Sequence, residues 1–168
     1  MHKFEDLIYR STSFTLKILE ETNSKIIEEL ETSASTIHVK NLQMIQLQKA
    51  ISAIGMFSMF DAILQGKLSC ENGFEEAKKV LKEKQNLELH NRFDKFICAI
   101  NVLKHGKGRS YKNLLAIASS LPFRIKLPGE NFFNEGDVSE IKTLIEVDDD
   151  FVLNCASLIE CVSNAITD

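Results

Sequence analysis

Between residues 101 and 115 the chain reads NVLKHGKGRSYKNLL, which gathers Lys104, His105, Lys107, Arg109 and Lys112 around two glycines. Ammonium and guanidinium groups set this close together suit an anion, a phosphate above all. An imidazole that titrates near neutrality can move a proton at the same place. Ser110 precedes an apolar pattern and is read as the N-cap of a new helix, whose free N–H groups would add anion donors. Gly106 and Gly108 leave the backbone free to approach a ligand. GKGRS is not a P-loop, because the G-x-x-x-x-G-K-[ST] spacing is missing. Anion binding here therefore rests on charge and open backbone, and the competing reading is a solvated turn between helices.

Upstream, HNRFDKFICAINVLKH carries the remaining reactive side chains. At 100° per residue, Phe93, Phe96, Ile97, Ile100 and Leu103 share one face, while Asp94, Cys98, Asn101 and His105 run along its edge. Cys98, Asn101 and His105 name the members of a cysteine-protease triad. Seven helical residues, however, put Cys98 about 10 Å from His105, too far for direct proton transfer. His90 and Asp94 stand four apart, as metal ligands do, with no second pair elsewhere, so neither a metal nor another cofactor is expected. His105 has two readings: it caps the carbonyls at a helix end and meets the dipole, or it acts as an acid–base group. Asp61 shares a helix side with Ala50, Ile54 and Phe57 and is expected to be at least partly buried, with Arg92, Lys104 or His105 as its partner, in a structural ion pair or to orient a catalytic His. Its loss would then cost about 3 kcal/mol or more.

The basic segment is an island. Residues 1–94 carry a net charge of −2 and residues 130–168 a net −9, while residues 95–129 hold seven Lys and Arg and no acid; the whole chain is at −4. Either a positive patch stands on a negative protein, or the basic segment folds against the acidic tail and the charges cancel. With 168 residues, 44 % apolar and 26 % charged, the chain suits one soluble domain with its own core. The N-terminus, MHKFEDLIYRST, lacks the apolar centre of a signal peptide. The best apolar run, AISAIGMFSMFDAIL, is short for a bilayer and contains Asp61. A cytoplasmic protein without a membrane partner is expected. Cys70, Cys98, Cys155 and Cys161 form no C-x-x-C pair and are read as reduced thiols, mostly in the core.

The elements that must position these groups are helical. Both prolines fall after residue 121, which frees the first 120 residues for helices. Phe4, Leu7, Ile8, Phe14, Ile18, Ile26 and Leu30 predict a helix from about 3 to 31, broken at TSAST, with more apolar surface than one narrow stripe, enough for an interaction surface. A second helix, from about 38 to 65, is apolar on every side in its latter half and is read as the central one of a bundle, ended by Gly66. A third covers about 73–84 and a fourth about 86–105, closed by Gly106; SYKNLLAIASS forms a fifth. After Pro122, FRIKL and KTLIEV flank a turn-rich loop and suggest a small β-hairpin near 123–147, with Phe132 and Phe133 as the loop's apolar anchor. Asp148 to Asp150 precede a closing helix, where acids complement the dipole. The expectation is one mainly α domain over 1–168, a helical bundle of about five to six helices in all, with the bundle over 1–120 and a hairpin or loop plus closing helix over 121–168.

A long helix, a greasy helix bearing Asp61, and a helix ending in INVLKHG together resemble the HEPN superfamily of small α-helical domains. That family's usual signature is Arg, a polar residue, three others and His, on a helix edge facing a dimer cleft. Asn101 and His105 match the polar residue and the His; Ile100 stands where the Arg belongs, and neither Arg92 nor Arg109 is a direct replacement. The resemblance implies an RNA-associated protein of a microbial defence or toxin–antitoxin system, homodimeric, with Asn101 and His105 as catalytic candidates. Lys104, Lys107, Arg109, Ser110 and Lys112 would form its anion or RNA site, with Asp61 and Arg92 in support. Metal-independent ribonuclease activity is one outcome, and binding with little cleavage is the one the missing Arg favours. The alternative is a noncatalytic helical adaptor or immunity protein that holds a protein partner.

Overall fold

The computed structural model describes residues 2–33, 35–130 and 138–167. Among them run six α-helices: α1 (Phe4–Thr32), α2 (Thr36–Leu68), α3 (Gly73–Glu83), α4 (Leu87–His105), α5 (Arg109–Leu115) and α6 (Asp149–Thr167), with a 3₁₀ turn at Ala118–Ser120. The fold is mainly α, a helical bundle, as the periodicity predicts. Helices α1 and α2 fold back on each other as a long hairpin. At its far end Ile26, Leu42 and Ile45 make a small core of their own, and His38 Nδ1 lies 3.2 Å from Glu29 Oε2.

The main core joins α2, α3, α4 and α6. Phe57, Phe60, Phe74 and Phe93 cluster with ring centroids 5.5–6.4 Å apart, so α2, α3 and α4 meet through aromatic edges and faces. Phe96, Phe123 and Phe151 form a second trio at 5.2–5.4 Å that ties α4 to α6. Helix α6 starts on Asp148, whose Oδ1 accepts the Phe151 amide at 2.7 Å, and Asp149 pairs with Lys49 at 2.7 Å. Asp148 thus caps the closing helix and Asp149 anchors it to α2.

Several expectations change. Helix α2 does not stop at Gly66 but runs on to Leu68, which packs against the core, and Ser69 supplies the left-handed cap at φ 51°. Nor is α2 buried on all sides. Ala50, Ala53, Phe57, Phe60 and Leu64 face the core, while Met44, Leu47, Ile51 and Met59 are 50–57 % exposed. By length and composition α2 is the one helix among the described residues able to cross a bilayer, since the apolar run sits in a 33-residue helix; a third of its most apolar window is buried in the bundle.

The hairpin contracts to a single antiparallel bridge, Ile125 to Ile145, with Lys126 N–H to Leu144 O at 2.8 Å and Glu146 N–H to Arg124 O at 3.0 Å. Pairing ends there because Pro128 has no N–H to give and the Thr143 amide turns to Ile141 O at 2.8 Å. Phe132 and Phe133 lie outside the described residues. Of the thiols only Cys155 is fully buried; Cys70 and Cys98 are half-buried and Cys161 is exposed.

Candidate functional site

The seven basic residues of 95–129 divide into two groups. Arg124 pairs with Glu130 at 2.8 Å and approaches Glu146 at 3.9 Å, and Lys126 pairs with Glu140 at 3.0 Å. Lys95 donates to the Ser120 carbonyl at 3.0 Å. These residues meet the acidic C-terminal region or the backbone, so both charge readings hold, each for a part of the segment. Lys104, Lys107, Arg109 and Lys112 are exposed and take part in no ion pair among the described residues.

The local backbone explains why these four stand free. Gly106 closes α4 with its N–H on Val102 O at 2.8 Å and with φ 70°, ψ −140°, a conformation that side chains resist. Gly108 is extended at φ −162°, where any residue fits, so Gly106 alone of the two is required by the turn. Tyr111 is buried, and its hydroxyl donates to Lys126 O at 2.6 Å, pinning α5 to the bridge segment. With Tyr111 pinned, Lys107, Arg109 and Lys112 border one shallow groove with Gly108, Asn113 and Leu115. The sequence signalled Tyr111 only as an aromatic amid polar neighbours.

Ser110 is not the cap. Helix α5 begins at Arg109 with Gly108 in the N-cap place and no side-chain cap bond. The Ser110 hydroxyl instead donates a hydrogen bond to the Cys98 thiol. Burial pushes that thiol above its usual pKa and Asp94 adds to the rise, while Ser110, Lys78 and Arg109 oppose it. Arg109 is thus close enough to Cys98 for its charge to act on the thiol. With seven residues, α5 has too short a dipole to act as an anion site by itself.

The supporting residues are used elsewhere. Asp61 is half-buried and meets none of Arg92, Lys104 or His105; its Oδ1 accepts the Phe74 amide at 3.1 Å and its Oδ2 accepts Gln65 Nε2 at 3.1 Å. It thereby satisfies an orphan donor in the first turn of α3, and the amide meets the carboxylate's own need for a partner in place of a cation. Arg92 donates to Asn154 Oδ1 at 2.8 Å, clamping α4 to α6 about 20 Å along the helix from His105. Its charge partly offsets the burial that drives the Cys155 thiol well up.

His105 is exposed at the end of α4, and among the described residues no carboxylate orients it. Asn101, half-buried beside it, makes no side-chain hydrogen bond there. Ile100 is 3 % exposed and points into the core, so the position aligned with the family's Arg does not face the loop. His90 Nδ1 meets Asn91 at 3.1 Å and Asp94 pairs with Lys78 at 3.0 Å, which occupies the one His–Asp spacing of interest. Among the described residues no three His, Cys, Asp or Glu side chains converge on a metal position. Compared with protein-family models, curated proteins and solved structures, the chain matches none.

Proposed function

We propose that this protein is an RNA-associated helical domain which holds phosphates on the surface formed by Lys104, Lys107, Arg109 and Lys112. One observation carries the reading. Acids or backbone carbonyls engage Lys95, Arg124 and Lys126, whereas these four cations, three of them on one groove, are exposed and in no ion pair among the described residues of a protein of net charge −4. Cations kept free of available acids suit a polyanion, and Tyr111 beneath them fixes the loop that presents them. The resemblance of Asn101 and His105 to the HEPN signature would imply a microbial defence or toxin–antitoxin setting. The reading favours binding over cleavage, because proton transfer by His105 also needs a group to orient the imidazole and one to neutralise the transition state, and Ile100 supplies neither.

Fluorescence anisotropy with a single-stranded RNA tests this. Wild type should bind with an affinity that falls as salt rises. Changing Lys104, Lys107 and Arg109 together to Ala should remove about three of the four phosphate contacts, flattening a log–log salt slope of about −2.8 to about −0.7. A fourfold rise in salt would then weaken the wild type about fifty-fold and the variant about threefold. His105→Ala should leave binding unchanged. Absence of RNA binding at low salt defeats the reading and favours a protein partner; RNA cleavage that His105→Ala abolishes would make the protein an active ribonuclease.

A further inference from the structure

The largest feature that RNA binding does not use is the outer face of α2. Met44, Leu47, Ile51, Gly55, Met59 and Ala62 recur every three or four residues and are exposed along about 27 Å of helix. No charged side chain interrupts them; Lys49 is turned inward onto Asp149. Beside this face lies an open groove walled by Ser11 and Thr15 of α1 and by Ser52, Gly55 and Met59 of α2; Phe14 and Ile18, three residues on from Ser11 and Thr15 along α1, are also exposed. A soluble domain rarely leaves a continuous apolar stripe of this length uncovered.

We infer that a second copy of this chain covers the face, with the two α2 helices antiparallel about a two-fold axis at the level of Ala53. That register sets Ile51 and Met44 against small residues. Ile51 of one copy meets Gly55 of the other, Met44 meets Ala62, Gln48 meets Ser58, and Leu47 meets Met59, each contact occurring twice by symmetry. Gly55 has nothing within 4 Å of where a Cβ would stand, so the hole for Ile51 is open.

The area also fits. At about 200 Å² for a fully exposed large side chain, Met44, Leu47, Ile51, Met59, Phe14 and Ile18 offer roughly 650 Å² per copy, close to the roughly 800 Å² per partner of a stable interface once the small residues between them are added. A membrane suits the face less, since an interfacial helix has a polar face rich in Lys and Arg, whereas this stripe is flanked only by Lys40 at one end and by Lys67, drawn to Glu5, at the other. Helix α4 packs on the opposite, buried side of α2. The interface therefore differs from the cleft at the α4 edge that the HEPN resemblance implies, leaves Lys104–Lys112 open on each copy, and does not depend on the RNA reading.

Sedimentation velocity at tens of micromolar, with circular dichroism to confirm the fold, tests the inference. Wild type should sediment at twice the 19.0 kDa of one chain. Leu47→Lys and Met59→Glu, both at half-exposed positions, should each keep the helical circular dichroism of wild type yet dissociate, with Kd raised about 100-fold or more by an unpaired charge in the interface. Mixing the two variants should restore the dimer, because Lys at 47 then faces Glu at 59 across the axis. Mixing Leu47→Lys with Met44→Glu should not, since those positions do not face each other. A monomeric wild type, a dimer that survives both single changes, or a mixture that stays monomeric would each overturn the inference. So would a monomer that co-sediments with vesicles of anionic phospholipid, which would assign the face to a membrane.

Discussion

Gly73 is where α3 docks on α2, and replacing it with Ala should be among the most damaging single-methyl changes in the protein. A Cβ there would stand 2.5 Å from Asp61 O, 2.6 Å from Leu64 Cβ and 2.9 Å from Asp61 Oδ1. Two of these atoms belong to the α2 backbone or to the root of a buried side chain, so neither can swing aside. The first turn of α3 must retreat by several tenths of an ångström instead. Such overpacking costs about 1–3 kcal/mol. The retreat also stretches the 3.1 Å bond from the Phe74 amide to the Asp61 carboxylate, worth about 1.5–3 kcal/mol for a charged acceptor and less here because Asp61 is half-exposed. Against this, Ala gains about 1 kcal/mol over Gly in a helix. A net loss of about 2–3 kcal/mol follows. Asp61→Ala, which keeps the packing and loses only the cap, should cost about 1–2 kcal/mol, below the 3 kcal/mol expected of a buried ion pair. The double variant should fall short of the sum, because both changes break the same bond. Urea denaturation followed by circular dichroism measures all three. A Gly73→Ala loss under half a kcal/mol, or strict additivity, would show that α3 does not seat on α2 through this contact.

Two further changes probe the loop and its neighbour. Gly106→Ala forces a side chain into φ 70°, ψ −140° and should cost about 1–3 kcal/mol, whereas Gly108→Ala, at an extended and open position, should be nearly neutral; equal losses in thermal unfolding would refute the distinction. Cys161 should react first with a thiol reagent, Cys155 only on unfolding, and Cys98 with a pH midpoint above that of a free thiol; Ser110→Ala should raise that midpoint further, because the lost hydrogen bond favoured the thiolate, and a midpoint that falls would contradict the assigned contact.

Helix positions were legible in the sequence because each rests on short-range terms: apolar spacing, the scarcity of proline, and stop signals such as Gly106. Gly66 misled because a glycine ends a helix only when nothing downstream still packs, and Leu68 does. The hairpin was over-read for a similar reason. Alternating residues at 123–127 and 142–147 predict extended chain, but how many rungs form depends on which donors face each other. The fates of individual charges were not legible. Arg124 and Lys126 have the same side-chain chemistry as Arg109 and Lys107, yet the bridge at Ile125 carries the first pair to Glu130, Glu146 and Glu140, and the turn at Gly106 carries the second pair to the open surface.

Composition and spacing by themselves determined a mainly helical bundle with a basic island in an acidic chain, since helix periodicity and net charge are sums over local sequence. Tertiary structure decided which apolar face of α2 is buried and which stays bare, and what Asp61 binds. A helix that is apolar all round carries no local signal for the side its neighbours will cover, and a carboxylate accepts an amide of α3 as readily as a distant guanidinium.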